Sequence, residues 1–317
     1  MSTDPRWFHA AGRLARDGWS TVVDDRLEGW RHTGLRTADL ADGAERLLPA
    51  GDVERMVVPL SGDVAVSWSD ASGGAGEVRL AGRESVFHGP TDVAYLGVGT
   101  ELRLTGTGRV AVAEAPATER LAVQVLRADE VPVEIRGAGR STRQVHNFGT
   151  TAGLRAQKLL VCEVVTPAEN WSSYPAHKHD EHVPGQESRL EEIYLFETAV
   201  SRGLDAPAGA DPFGAFATYA SDAGPISVNE LVRTGDVGLV PHGWHGPAVA
   251  APGYDLYYLN VMAGPDEERA WLITDDPAHG WVRETWAAQQ PDPRLPYTAT
   301  GTGAGAATGT PEEGPRS

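Results

Sequence analysis

Short apolar runs, many of them alternating with polar positions, recur along the chain between glycine, proline and serine breaks. Residues 53–60 (VERMVVPL), 63–68 (DVAVSW) and 101–104 (ELRL) read as strands, with Ser61-Gly62 and Ser72-Gly73-Gly74 marking the turns. Residues 159–165 (LLVCEVV) read as a buried strand in which Cys162 packs as a small apolar side chain. Residues 235–241 (GDVGLVP) give a turn, a buried strand and a loop. A faint repeat is visible: the stretch from Glu54 to Gly62 resembles the one opened by Glu192, and residues 82–89 resemble 235–243. The pattern predicts a lead-in over 1–20 anchored by Trp7 and Trp19, a first unit over 21–120 and a connecting segment over 121–139. A second unit follows over 140–280, then a C-terminal extension over 281–317. Residues 289–296 are expected to wind over the surface. Residues 298–317, mostly Gly, Ala and Thr, are expected to be disordered, because they cannot bury enough apolar area to offset chain entropy.

Composition narrows the class. A chain of 317 residues with 41% hydrophobic content can bury two cores, and 37 Gly with 22 Pro favour a turn-rich all-β protein. The formal charge of -17 repels nucleic acid and anionic lipid, which excludes both as partners. Cys162 is the single cysteine, so no intrachain disulfide can form, which fits a cytoplasmic location. The N-terminal residues lack a basic start followed by an apolar run, and no stretch approaches the roughly 20 apolar residues of a membrane span.

The chemistry concentrates in the second unit. His177 and His179 in Pro175-Ala-His-Lys-His179 lie two apart, so an extended backbone aims both to one side. Glu192 arrives on the next strand with Tyr194 and Phe196 on its face, and Pro241-His-Gly-Trp-His245 offers a third imidazole. Three imidazoles and a carboxylate suit one divalent ion, with Zn, Fe, Mn, Ni or Co all compatible. His242 competes with His245; its place before Gly243 at the turn favours an outward side chain, and hence His245 as the ligand. The first unit has no paired histidines upstream of Glu54, and His32 and His88 are isolated, so it is expected to be metal-free.

This ligand order resembles that of the cupins, small antiparallel jelly-roll barrels, and implies two tandem cupin barrels in an all-β chain. One residue separates Gly243 from His245 where cupins usually have two. Longer motifs go further. Residues 162–180 (CEVVTPAENWSSYPAHKHD), 190–194 (LEEIY), 252–265 (PGYDLYYLNVMAGP), 143–146 (RQVH) and 275–279 (DDPAH) resemble the 5-deoxy-glucuronate isomerase family of inositol catabolism over nearly the whole chain. That family is similar in turn to the zinc-dependent 5-keto-4-deoxyuronate isomerases of pectin breakdown. The resemblance implies one ion, with zinc the first expectation, on His177, His179, Glu192 and His245. It also implies conversion of 5-deoxy-D-glucuronate to 2-deoxy-5-keto-D-gluconate, and a small sugar acid as the partner. Ala217 departs from the polar strand residue expected near that position.

Aldose-ketose exchange moves a proton between adjacent carbons through an enediol, so the site needs an acid-base group and an oxyanion stabiliser. Lys158, on a strand predicted over residues 155–165, is a candidate through a pKa lowered by burial, with Tyr258 and His146 as alternatives. Arg143 and Arg189 are candidates for the substrate carboxylate, and Tyr174 is a further pocket candidate. Glu191, next to Glu192, faces the opposite side of its strand and is expected to be solvated. Two other classes compete: an iron(II) cupin dioxygenase, and a sugar-binding cupin without catalysis. A sensor would need an output module, and no segment has a basic helical pattern. Assembly into a homo-oligomer is expected only by analogy with cupins that pack edge to edge.

Overall fold

The computed structural model describes residues 3–150, 153–299 and 301–302. Two units of the same design follow one another. In the first, a six-stranded sheet runs in the order Gln124–Leu126, Val93–Leu96, Val53–Pro59, Arg109–Pro116, Gly34–Asp39 and Thr21–Val23, accompanied by a four-stranded sheet. In the second, the corresponding order is Phe8–His9, Val237–Val240, Glu191–Val200, Tyr254–Ala263, Leu160–Thr166, Arg143–Asn147 and Val133–Arg136. Its partner sheet contains Gly214–Ser221, Trp244–Ala250 and His177–Lys178. These are the two tandem barrels of an all-β chain. No described helix is long and apolar enough to cross a membrane.

Segments near both ends of the described residues are woven into the second barrel. Phe8–His9 pairs with Val237–Val240, and the Leu239 N–H donates to the Trp7 carbonyl at 2.8 Å. Trp7 and Trp19 are both buried, as their aromatic character suggested, but the lead-in packs as an edge strand of the distant barrel. The connecting segment is split: Gln124–Leu126 completes the first barrel and Val133–Arg136 the second.

The seven-stranded sheet has no solvent face across its central strands. All seven residues of Leu160–Thr166 are buried, and so are all five of Arg143–Asn147. Successive side chains point to opposite faces of a strand, so such a run must satisfy two environments at once. Glu191, Glu197, Glu163 and Tyr257 meet the first barrel or its network, whereas Glu192, Tyr194, Val164 and Tyr258 line a cavity.

Where the barrels meet, buried charge is matched. Glu54 of the first barrel accepts the backbone N–H groups of Gln157, Lys158 and Leu159 at 2.8, 2.6 and 2.7 Å, and the Tyr95 hydroxyl donates to it at 2.7 Å. Glu191, at the equivalent place in the second barrel, accepts the N–H groups of Arg31, His32 and Thr33 at 3.0, 2.6 and 3.3 Å. It is therefore buried rather than solvated, because its outward face is the neighbouring barrel instead of water. Between these clamps, Arg83 donates to both oxygens of Glu163 at 2.5 and 2.6 Å.

The first barrel is filled by its own aliphatic core, including Val57, Val64, Val66, Leu80, Leu102, Leu104 and Val112. Arg55 stands where the second barrel has Glu192, and its Nε donates to Glu114 at 2.8 Å, as does that of Arg36. Two guanidinium groups thus occupy the carboxylate oxygens of Glu114 at that position.

Residues 289–296 run largely over the surface with Leu295 tucked beneath, and the chain then turns inward. After a short helix, Val282–Thr285, the backbone crosses the outer strands of the second barrel, and Tyr297 is fully buried. Its N–H donates to Gln144 Oε1 at 2.6 Å, and Tyr297–Thr298 pairs with Gly301–Thr302. The remainder of the tail expected to be disordered lies outside the described residues. Truncation after Pro296 should accordingly lower stability by about 3 kcal/mol through loss of the Tyr297 side chain, a shift read from thermal unfolding. Glu54→Ala strips three backbone N–H groups and a phenol of their acceptor, and should cost about 3 to 5 kcal/mol. Denaturant midpoints will show this, whereas Glu84→Ala at an exposed position should move the midpoint little.

Candidate metal centre

Four side chains from both sheets of the second barrel meet at one place. His177 and His245 are direct cross-strand partners, which fixes their rings 4.4 Å apart between centroids. His179 follows on the same segment with its ring 4.6 Å from that of His245. Glu192 comes from the opposing sheet, its Oε2 3.0 Å from His179 Nε2 and 3.1 Å from His245 Nε2. A ligand atom from each of the three histidines lies within 4.8 Å of the others.

The second nitrogen of each ring leaves the first free to act as a ligand. Nδ1 of His177, His179 and His245 approaches the carbonyls of Pro175, Leu190 and Gly243 at 3.3, 3.2 and 3.0 Å. A carbonyl only accepts, so each Nδ1 carries the proton and each Nε2 presents a lone pair. His245 Nε2 is buried and has no hydrogen-bond partner despite its nearness to Glu192. A buried nitrogen left open beside a carboxylate is the arrangement a cation completes. Burial, with His245 and His179 close by, drives the His177 pKa well below its ordinary value. Against the effect of burial, contacts from His179 and His245 hold Glu192 below the usual carboxylate range. The group is thus able to hold a metal ion.

His242 is elsewhere. Its Nε2 meets the Pro225 carbonyl at 3.2 Å near the surface. The loop that delivers His245 is anchored by Asp180, whose Oδ2 accepts the Gly243 N–H at 2.8 Å. Asp180, Glu181 and Glu187 form a second acidic group, and Lys178 Nζ already occupies its centre, reaching all three at 2.8, 3.1 and 2.9 Å.

Through His177 and Glu192 the group opens onto a cavity of about 660 Å³. Of the residues singled out from sequence, Arg143 and Tyr258 line it. Burial holds the Tyr258 phenol above its ordinary pKa, so it keeps its proton. Arg143 is 5% exposed and, among the described residues, donates only to the Ser141 carbonyl at 3.0 Å and has no ion pair of its own. Burial, and then the nearby Arg136, lower it to about 9. Neighbouring cations are occupied: Arg136 pairs with Glu134 at 2.8 Å, and Arg283 pairs with Asp275.

The other candidates lie off the cavity wall. Lys158 precedes the strand instead of lying on it, since pairing begins at Leu160, and its Nζ donates to the Asp266 carbonyl at 2.5 Å. Arg189 is exposed and pairs with Asp266 at 2.8 Å. Tyr174 is half-buried against Trp171 and His279. His146 occupies the face opposite Arg143: its Nδ1 donates to Glu163 at 2.6 Å and its Nε2 accepts from Gln144 at 2.7 Å, which makes it part of the barrel junction. Sequence reasoning missed Asn260, Arg136, Trp271, Arg283 and Trp286 on the wall. Asn260 was legible, two residues from Tyr258 on one strand face. Arg283 and Trp286 carried no such signal.

Comparison with known proteins agrees with this architecture. The KduI/IolB family model matches residues 7–282. A 5-deoxy-glucuronate isomerase of Geobacillus kaustophilus is 37% identical over 262 residues, covering 81% of this chain and 88% of that protein. One from Bacillus subtilis is 34% identical over 253 residues, covering 79% and 87%. The crystal structure of an IolB-like protein from Salmonella typhimurium superposes with a TM-score of 0.76 at 34% identity, over 87% of this chain and 98% of that one. An oxalate decarboxylase of Lactobacillus farciminis, at 11% identity, has a TM-score of 0.60 over 87% and 90%, and shares the fold alone.

Replacement of a ligand imidazole removes a metal bond outright. His245→Ala, His177→Ala, His179→Ala and Glu192→Ala should each lose bound metal on elemental analysis. His242→Ala should retain it, with a stability change under about 0.5 kcal/mol.

Proposed function

The chain belongs to the KduI/IolB family, and on that premise we propose that it interconverts 5-deoxy-D-glucuronate and 2-deoxy-5-keto-D-gluconate in cytoplasmic inositol catabolism. It is an isomerase. The reading further assigns one divalent ion, zinc by preference, to His177, His179, Glu192 and His245. When bound, such an ion supplies Lewis-acid polarisation of the substrate carbonyl and its neighbouring hydroxyl.

The observation that carries the reading is an unpaired, buried guanidinium, Arg143, in the same cavity as the imidazole and carboxylate group. A buried cation without a partner is costly, and a carboxylate is the ligand whose two oxygens match its fork. A sugar acid brings both features required: a carboxylate for Arg143 and a carbonyl with an adjacent hydroxyl for the polar group opposite it in function. Tyr258, kept protonated by burial, is placed to donate to a sugar oxygen as charge develops there. Asn260 adds an amide to the same face. Burial of these groups in the barrel interior limits water at the reacting carbons.

In deuterated water, an NMR time course with 5-deoxy-D-glucuronate should place solvent deuterium on the product carbon next to the carbonyl. Lack of turnover by metal-loaded enzyme would overturn the substrate assignment. Tyr258→Phe should lower kcat with KM and metal content unchanged. Arg143→Met should raise KM by roughly 10- to 100-fold, the loss of a charged hydrogen-bond pair.

A further inference from the structure

The family match ends at residue 282, yet the cavity wall continues into the next turn. Trp286 and Arg283 both line the cavity. The Trp286 ring lies 5.5 Å from the guanidinium carbon of Arg143 and 5.2 Å from that of Arg283. Arg283 is itself fixed on Asp275, so the indole is held by one paired guanidinium while it covers the unpaired one. An aromatic face attracts a desolvated cation without neutralising it. That distinction matters here: a carboxylate in this place would satisfy Arg143 permanently, whereas a ring steadies it and leaves its donors free.

The same segment then grips the strand of Arg143 from its other side. The Gly139 N–H donates to the Gln290 carbonyl at 2.9 Å, and the Asp292 N–H donates to Thr142 Oγ1 at 3.0 Å. Gln144 pairs with the Tyr297 backbone in both directions, accepting its N–H at 2.6 Å and donating to its carbonyl at 3.0 Å. Residues 142 and 144 are thus tied to the segment that places Trp286 on the side chain of residue 143. An arginine free to rotate has several rotamers, and Glu134 lies close enough to attract it. Restricting the side chain in advance lowers the rotamer entropy lost on binding.

We propose that residues 283–297 form the substrate-specificity element of this enzyme, with Trp286 as the positioning residue that holds the Arg143 guanidinium open to a carboxylate and so selects sugar acids over neutral sugars. The inference rests on the reading of Arg143 as the carboxylate partner.

Full-length, metal-loaded Trp286→Ala should show a KM for 5-deoxy-D-glucuronate raised roughly tenfold, with kcat within about twofold and metal content unchanged. Its preference for that acid over 5-deoxy-D-glucose should shrink by the same factor. Calorimetric binding of D-gluconate, which keeps the carboxylate but has no carbonyl to isomerise, should weaken in parallel. Trp286→Phe, which keeps a ring face, should recover most of the affinity. Trp286→Leu keeps apolar volume without the face, and should reproduce the loss in a folded protein even if the alanine variant is unstable. An unchanged KM in folded Trp286→Leu, or a fall in kcat that tracks lost metal, overturns the proposal. Arg143→Met separates the two readings. If it leaves KM unchanged, the carboxylate assignment itself fails; if it raises KM while Trp286→Leu does not, only the role of this segment fails.

Discussion

A sheet buried on both faces governs this molecule. In the strands Glu191–Val200, Leu160–Thr166, Tyr254–Ala263 and Arg143–Asn147, adjacent residues must serve opposite sides. Period-two geometry makes this assignment strict, because a slip of one residue would exchange the two sets entirely. Glu191 grips the first barrel while Glu192 faces the imidazoles; His146 joins the junction while Arg143 enters the cavity. Cavity-facing and junction-facing groups therefore alternate along the same strands, and neither set can shift without moving the other.

The polar groups on the two faces solve the problem of burial differently. On the junction face each charge is satisfied within the chain: Glu54 and Glu191 by backbone N–H groups, Glu163 by Arg83, His146 and Tyr257. Such full satisfaction keeps a polar interface rigid. On the cavity face satisfaction is incomplete by design of the fold. His245 Nε2 lacks a hydrogen-bond partner and Arg143 lacks a counter-ion. Incomplete pairing is what gives a site something to offer a ligand, and the rigid junction behind it prevents collapse onto the nearest partner.

The contrast between the barrels follows the same logic. Both place a residue at the head of the central strand facing inward, Arg55 in one and Glu192 in the other. The first pairs with Glu114 and closes a core of valines and leucines, while the second meets three imidazoles and leaves a cavity. One repeated architecture has thus been used once for packing and once for chemistry.

The sequence alone determined the repeat, the all-β class and the grouping of His177, His179, Glu192 and His245, for a physical reason: each depends on local periodicity. Two histidines spaced by one residue, a glutamate at the head of an apolar strand and an imidazole after a turn keep their relation wherever the strands lie. Parity put Glu191 opposite Glu192, while Tyr258 and Arg143 were chosen for their chemistry and fall on the cavity face. Parity could not say what stands on the far side, so Glu191 was read as solvated when another barrel covers it. Lys158, Arg189, Tyr174 and His146 were chosen for their chemistry, and chemistry without position cannot tell a cavity from a junction or a surface. Only tertiary structure brought the C-terminal residues Arg283, Trp286 and Tyr297 back onto the strand of Arg143, because a return across more than a hundred residues is set by packing of the whole barrel and leaves no periodic trace in the segment that makes it.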